Sequence, residues 1–251
     1  MRRILFAITL ALLFAGCGKR GPLIPPEALH PAPVADLQVR QTGNNFEVTW
    51  SIPTQNEGKR PLKDLAGFRL FKREVLPPAE DCESCPDAYR LFKNIDLEYL
   101  QDIRRFGNSL YCTDSDVIDG KTYQYKVISY RKDGTSSRDS NKARYKKVVP
   151  ASPPQLTAHF SDSGAVLRWE NIPVSANVKV LGYNIYKRRA DSSYTPFPLN
   201  DSLLTGTVHE DLHLERGVSY AYTLRTVAEV DGERVESGPS NEVKGMLAEP
   251  E

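Results

Sequence analysis

The sequence predicts an all-β protein made of two similar β-sandwich domains in tandem. Its 251 residues suffice for two domains of about 100 residues each. The apolar segments alternate with period two and are bounded by Gly, Pro, Asn or Asp, a pattern typical of strands rather than helices. The same series of segments occurs twice along the chain, which indicates that one module is repeated.

Composition argues against two other classes of protein. Hydrophobic residues make up 40% of the chain and aromatic residues 9%, which is too much apolar material for a disordered protein. The 33 Lys and Arg residues are balanced by 32 Asp and Glu residues, so the formal net charge is +1. A nucleic-acid-binding protein would carry a strong basic excess, and we therefore expect no nucleic-acid partner.

The repeat is visible in several pairs of segments. Residues 46–50 end in a tryptophan, as do residues 165–169. Residues 67–73 correspond to residues 182–188, since both begin with Gly and an aromatic residue and both end in Lys-Arg. The remaining pairs are 52–53 with 172–173, 120–125 with 217–222, 133–134 with 231–232, and 140–141 with 240–241.

These segments resemble the fibronectin type III family of immunoglobulin-like β-sandwiches. That family places a Trp on its second strand, which Trp50 and Trp169 match. It also has a Leu six residues before a Tyr at the turn into its sixth strand. Leu214 and Tyr220 match this pattern, and the first copy has Val117 at the Leu position. The resemblance implies two sandwiches whose Trp residues fill the core and whose Tyr residues bond backbone across a turn.

The repeat and the proline-rich stretches predict the domain boundaries. Domain two is the shorter copy, and the extra length of domain one lies in two insertions near its middle. We expect a signal peptide at 1–16, a lipidated Pro-rich tether at 17–33, domain one at 34–149, a linker at 150–154 and domain two at 155–247.

The first seventeen residues have the pattern of a lipoprotein signal. A basic start is followed by an unbroken apolar run of eleven residues, Ile4 to Phe14, which is too short to span a bilayer. The run ends in small residues and Cys17, which resembles a bacterial lipobox, although Phe14 stands where Leu is usual. The resemblance implies cleavage before Cys17 and lipidation of that residue. The alternative is a cytosolic protein whose apolar N-terminal strand ends in a structural Cys.

The residues after Cys17 bear on localisation. Gly18 follows the lipidated residue, and by resemblance to lipoprotein sorting the absence of Asp there favours the outer membrane. Residues 18–33 contain five prolines, so an extended tether would reach roughly 50 Å. Residues 17–23 also resemble the start of a small outer-membrane lipoprotein of the lipopolysaccharide-export machinery, which would imply an assembly factor acting through residues 17–26.

The two insertions of domain one, near residues 75–88 and 95–108, are the predicted partner surface, because added loops on a rigid sandwich often carry binding. In the second insertion, four apolar residues recur at near-helical spacing, which predicts a short helix that ends at Gly107: Ile95, Tyr99, Ile103 and Phe106.

The first insertion contains Cys82 and Cys85, and Cys112 is a third cysteine of domain one. In an oxidising envelope we expect a structural Cys82–Cys85 disulfide. A bridge to Cys112 and a thiol-disulfide function of Cys82 and Cys85 are the alternatives. Zinc would need a fourth ligand and reduced thiols, so we expect no metal site.

The last strand of domain one carries Lys142, Arg144 and Lys146, whose alternation places them on one face. They are candidate contacts for an anionic partner such as lipid A phosphates or an acidic glycan. The alternative is that they protect a sheet edge from aggregation.

Residues 209–213 match the HExxH zinc-protease motif, but the repeat places them on a strand, where the two histidines cannot share one zinc ion. No other catalytic motif occurs at recognisable spacing, so we expect neither an enzyme nor a bound cofactor. The sequence therefore predicts a lipid-anchored, non-catalytic binding or scaffold protein of the bacterial envelope. We expect its partner to be an envelope protein or an anionic glycan.

Overall fold

The computed structural model describes residues 25–248. The signal peptide, Cys17 and the first part of the tether lie outside the described residues. Residues 25–248 form fifteen β-strands and one 3-10 helix, Pro26–Leu29. Within this range no helix is long and apolar enough to cross a membrane.

Domain one is a sandwich of two sheets. One sheet has the order β1-β2-β6-β5 and the other has the order β4-β3-β7-β8, with antiparallel pairing throughout. The strands are β1 (Gln38–Thr42), β2 (Asn45–Ser51), β3 (Leu65–Val75), β4 (Arg90–Asp96), β5 (Arg104–Phe106), β6 (Ser109–Asp114), β7 (Thr122–Arg131) and β8 (Ala143–Lys146).

Domain two repeats this arrangement with fewer strands. One sheet has the order β9-β10-β12, and in the other β13 pairs with β11, β14 and β15. The strands are β9 (Leu156–Phe160), β10 (Ala165–Trp169), β11 (Val178–Arg189), β12 (Val208–Asp211), β13 (Tyr220–Val230), β14 (Glu233–Glu236) and β15 (Val243–Gly245). The prediction of an all-β chain with two tandem immunoglobulin-like sandwiches is confirmed.

Each core is centred on the predicted tryptophan. Trp50 is 2% exposed and Trp169 is 5% exposed. Trp50 packs edge-to-face on Phe68 at 5.6 Å, and Trp169 packs in the same way on Tyr183 at 5.5 Å. Aromatic pairs at such distances add specific contacts to a large burial of apolar area.

The turn tyrosines and the paired asparagines also have the same role in both domains. The hydroxyl of Tyr220 accepts a hydrogen bond from the backbone N–H five residues earlier at 3.3 Å, and Tyr123 does the same. The amide of Asn141 bonds both the N–H and the C=O of Leu37, which ties the entry of domain one to its last strand. Asn241 makes the same two bonds in domain two.

A buried ion pair, which the sequence did not reveal, is also duplicated. In domain two, Lys187 lies 2.7 Å from the carboxylate of Asp211, which also accepts a hydrogen bond from the Tyr222 hydroxyl at 2.8 Å. Lys72, Asp114 and Tyr125 are their counterparts in domain one, at 2.7 and 2.6 Å. Asp114 and Asp211 are almost fully buried, so each carboxylate depends on these partners.

The predicted helix in the second insertion is wrong. Ile95 lies on β4, residues 97–103 form a loop, and Phe106 lies on β5. Both Ile95 and Ile103 are buried in the sandwich core. Their near-helical spacing thus reflects two separate entries of the chain into the same core, one from a strand and one from a loop.

The described part of the predicted tether is attached to domain one instead of extending freely. Backbone hydrogen bonds join Ala32 N–H to the Gln55 carbonyl at 3.1 Å and Gly58 N–H to the Ala28 carbonyl at 3.0 Å. A Cβ atom on Gly58 would lie 2.9 Å from that carbonyl oxygen, so only glycine permits this approach. The chain therefore enters domain one along the loop between β2 and β3.

The two domains share a hydrogen-bonded junction. β1 pairs in parallel with β14, where Thr42 lies opposite Glu236. The buried Gln41 amide bonds both the N–H and the C=O of Val148, at 3.0 and 2.7 Å. Val148 packs into a small apolar cluster with Val235 and other residues of domain two. In the predicted linker, Ala151 packs against the same cluster, and the Ser152 carbonyl accepts a hydrogen bond from the Thr226 hydroxyl at 3.0 Å, so this segment is attached to domain two.

We expect the stability of domain two to depend on Asp211. Burial opposes ionisation of this carboxyl, but the bonds from Lys187, the His213 N–H and Tyr222 outweigh burial and lower its pKa. Because the unfolded chain takes up the proton first, near pH 4, this contribution is complete above pH ~4 and is lost as pH falls through the lower folded pKa. Asp211→Asn should lower the free energy of unfolding at neutral pH by about 3–5 kcal/mol.

Chemical denaturation of both proteins at a series of pH values measures this effect. The difference between wild type and variant should shrink as the pH falls below about 4. Asp191→Asn is the matched control, because Asp191 is exposed and forms no ion pair among residues 25–248. Equal losses in the two variants would contradict a special role for Asp211.

Candidate functional site

The structure brings the first insertion together with the basic residues near β8. Cys82 and Cys85 form a disulfide, which confirms the expected pairing. Glu83, between the two cysteines, forms an ion pair with Lys142. Two features that are separated by 59 residues in the sequence thus lie against each other on domain one.

A buried arginine holds the insertion against the sheet. Arg73 on β3 donates two hydrogen bonds to the Asp81 carboxylate, at 2.7 and 3.0 Å, and its side chain is 5% exposed. The same carboxylate accepts the N–H of Leu76. The bond from Arg73 holds the pKa of Asp81 below its usual value. Arg73 also lies 5.6 Å from the Tyr89 ring, which closes the loop on its other side.

An open groove runs between this loop and the sandwich. Its volume is about 770 Å³. Three apolar side chains line it and remain about half exposed: Leu76 at 43%, Leu91 at 54% and Ile118 at 56%. They come from the loop, from β4 and from the turn before β7. Exposed apolar side chains that cluster in a groove are typical of a binding surface.

The groove has an acidic rim. Of its basic residues, Lys72 is bound to the buried Asp114 and Arg73 to Asp81, which leaves Arg90 without an ion pair among residues 25–248. Five acidic residues line it, of which Asp81 is bound by Arg73 and Glu74 by Lys121. Glu80, Asp87 and Asp116 form no ion pair among residues 25–248. The electrostatic character of the groove therefore favours a partner with basic groups over an anionic glycan.

The basic strand lies at a sheet edge next to this site. β8 pairs with β7 alone. Arg144 is exposed and Lys146 is partly exposed, and neither forms an ion pair among the described residues, whereas the charge of Lys142 is offset by Glu83. Tyr145 between them points inward and packs on Phe46 at 5.5 Å. Both the anionic-partner hypothesis and the edge-protection hypothesis fit this placement.

The cysteines are poorly placed for thiol chemistry. Cys82 and Cys85 lie in turns and not at the start of a helix, where a thiolate would be stabilised. Four carboxylates in the same loop, at Glu80, Asp81, Glu83 and Asp87, disfavour further negative charge. Cys112 is fully buried on β6, and burial raises the pKa of its thiol to about 12.

The second insertion does not join the groove. It leaves the opposite end of β4, and its Phe106 packs edge-to-face on Phe197 of domain two at 6.4 Å. Tyr111 makes a second such contact with Phe197 at 6.4 Å. Nearby, Glu47 forms ion pairs with Arg40 on β1 and Arg104 on β5. Arg104 and Phe106 of this insertion therefore lie near the junction between the domains, and none of residues 95–108 lines the groove. The predicted partner surface of residues 75–88 and 95–108 is thus divided between two places.

The HExxH segment also has a structural position. His209 lies on β12 and His213 lies beyond its end, so the segment is not helical. Asp211 is the buried carboxylate that binds Lys187, and the His213 carbonyl accepts a further bond from that lysine at 2.7 Å. Among residues 25–248 no cluster of His, Cys, Asp and Glu has the geometry of a metal site.

Sequence reasoning found the loop but missed the groove. Leu76, Leu91 and Ile118 are far apart in the chain, and none belongs to a motif. One signal was available: Arg73 corresponds to Arg188, while only the first copy has an acidic loop directly after this residue.

We expect Cys112 to resist thiol reagents in the native protein. Its raised pKa leaves almost no thiolate at pH 8, and its burial blocks access. Iodoacetamide labelling followed by mass spectrometry should modify Cys112 only after denaturation, while the unreduced digest contains a Cys82–Cys85 linked peptide. Rapid stoichiometric labelling of Cys112 in the folded protein would contradict this prediction.

No protein-family model matches this sequence. Among curated proteins, the chain is similar to a Kelch domain-containing protein of Saccharolobus solfataricus, with 24% identity over 190 residues that cover 70% of this chain and 25% of that protein. The chain thus spans about a quarter of that relative's length. Among solved structures, it is similar to the FN1-FN3 domains of chicken CNTN1, with 13% identity, a TM-score of 0.38, and coverage of 93% of this chain and 75% of that chain.

Proposed function

We propose that this protein is a lipid-anchored, non-catalytic binding scaffold of the bacterial cell envelope that holds a partner protein in the groove of domain one. The observation that carries this proposal is the groove itself. It combines three half-exposed apolar side chains with a loop that contains a disulfide and is joined to β3 by the Arg73–Asp81 ion pair. A loop ordered in advance loses less entropy when a partner binds.

The anchor is inferred from the sequence of residues 1–17. A basic start, an apolar run of eleven residues and Cys17 together have the pattern of a lipoprotein signal. Gly18 after the cysteine favours the outer membrane over the inner membrane, as in lipoprotein sorting. One lipidated residue would then attach the protein to the membrane.

A binding role is favoured over catalysis by the side chains that line the groove. They include no Ser, Thr or His, and both cysteines are tied in the disulfide. The arginine and lysine closest to the core are engaged in ion pairs with Asp81 and Asp114. The groove thus offers shape, apolar contact and charge, without a nucleophile beside a general base.

The partner that fits best is a protein segment with apolar side chains flanked by Lys or Arg. Leu76, Leu91 and Ile118 supply the apolar contact, and the acidic rim attracts basic groups. An anionic glycan would be repelled by this rim, and its contacts would be limited to Arg144 and Lys146 on the neighbouring strand.

We expect Cys17→Ser to abolish the membrane attachment that resists a high-salt wash, because this residue would carry the lipid. The variant should be found in the soluble fraction or remain unprocessed. Cell fractionation with mass measurement of the purified protein distinguishes these forms from the wild type. Full membrane retention of a processed Cys17→Ser protein after a high-salt wash would contradict the proposed anchor.

We expect a photo-crosslinking residue at Leu91 to capture a discrete partner in living cells. The matched control is the same residue at Val174, which is 53% exposed on domain two, against 54% for Leu91. The Leu91 product should disappear when Leu76→Asp and Ile118→Asp are added, and the captured peptide should carry Lys or Arg. The same product at both positions, or none at Leu91, would rule out the groove as the docking site.

A further inference from the structure

The loop between β2 and β3 is a rigid, basic hairpin. Its two arms are joined by backbone bonds from Leu62 N–H to the Thr54 carbonyl and from Asn56 N–H to the Arg60 carbonyl, both at 2.9 Å. The side chain of Asn56 also accepts the N–H of Arg60 at 2.9 Å. These bonds hold the backbone of the hairpin in one conformation.

Three exposed basic residues project from this hairpin and its base: Lys59, Arg60 and Lys63. None forms an ion pair among the described residues. The neighbouring acidic groups are already engaged, because Glu57 binds Arg138 and Asp64 binds Arg131. The hairpin itself, residues 54–63, therefore has a local excess of positive charge, with three basic residues and one acidic residue.

Lys59 occupies a backbone conformation that favours other residues. Its φ of +59° is in the left-handed region, where Gly or Asn is tolerated best and other residues are strained. A lysine at this position places a positive charge at the tip of the hairpin, at a cost in backbone conformational energy. Strain of this kind clusters at functional sites, although Gln101 and Asp231 of this chain also have a positive φ.

The hairpin lies where the chain comes from the proposed anchor. Residues 28–32 run along it, through the bond from Gly58 to Ala28 and the bond from Glu57 N–H to the His30 carbonyl at 2.9 Å. From Cys17 to residue 25 is eight residues, a reach of at most about 29 Å even when fully extended. Residues 18–24 contain Lys19 and Arg20 and no acidic residue, and Glu27 is the one acidic residue of the segment 18–32.

We propose that Lys59, Arg60 and Lys63 form a membrane-facing surface that binds the headgroups of anionic phospholipids. This proposal rests on the proposed anchor, which brings this end of domain one to the bilayer. Basic residues next to an anionic membrane each increase binding about fivefold, so the three together are expected to contribute about 100-fold. The lipid would hold the protein at the membrane, and this surface would set its orientation there.

The test uses the mature chain with Cys17→Ser, which carries no lipid, so that its result does not depend on the anchor. Co-sedimentation is measured with phosphatidylcholine vesicles that contain or lack phosphatidylglycerol. The protein should bind only the anionic vesicles, and binding should fall steeply as salt shortens the Debye length from ~30 Å at 0.01 M to ~3 Å at 1 M.

Lys59→Gln/Arg60→Gln/Lys63→Gln should lower this binding about 100-fold. The matched control is Lys142→Gln/Arg144→Gln/Lys146→Gln, which removes the same charge near β8. β8 pairs with the start of β7 at Thr122, whereas the docked segment contacts Arg131 at the far end of β7. The control should retain most of the binding.

A single variant, Lys59→Asn, separates binding from folding. It removes one charge and relieves the left-handed strain, so it should melt no lower than the wild type while binding anionic vesicles about fivefold more weakly. Equal losses in the two triple variants, unchanged binding in Lys59→Asn, or binding that ignores salt or phosphatidylglycerol would each overturn the proposal. Failure of the anchor itself would be seen separately, as membrane retention of Cys17→Ser that survives a high-salt wash, because such a wash screens binding to anionic headgroups.

Discussion

The ion pair between Arg73 and Asp81 is the contact on which the groove depends. The guanidinium is buried beneath the disulfide loop and donates hydrogen bonds to Gln124 and Asp81, so the loop cannot leave without breaking the charge-assisted bonds that join it to β3. Domain two has an arginine at the same position, Arg188, but there it binds Glu242 near the last strand. The corresponding arginine thus holds the inserted loop in domain one, whereas in domain two it binds the segment that leads into the last strand.

The shared framework was predictable to the extent that its residues follow period two. Trp50 and Trp169 stand at the ends of alternating apolar segments, and both proved to be core residues. Asp114 and Asp211 were not predicted, because a carboxylate in an alternating segment is normally taken as solvent-facing. Only the pairing of strands shows that a lysine and a tyrosine from two other strands surround each one.

Contacts over long sequence separations account for the other differences. The Cys82–Cys85 pair is local, and it was predicted. The helix expected near Ile103 was not formed, because tertiary burial and not local periodicity determined that spacing. The packing of Phe106 on Phe197 joins the two domains, and the local sequence around neither residue indicates this contact. The groove was missed for the same reason.

The groove and the basic hairpin, the two proposed binding surfaces, lie at opposite ends of β3. The groove lies at its Val75 end, and the basic hairpin and the entering chain lie at its Leu65 end. Eleven residues of strand separate these ends by about 35 Å. Because residues 28–32 are bonded to the hairpin, domain one would be attached to its anchor at a fixed end. A partner in the groove would therefore be held about one domain length away from the membrane, on the side that faces the aqueous compartment.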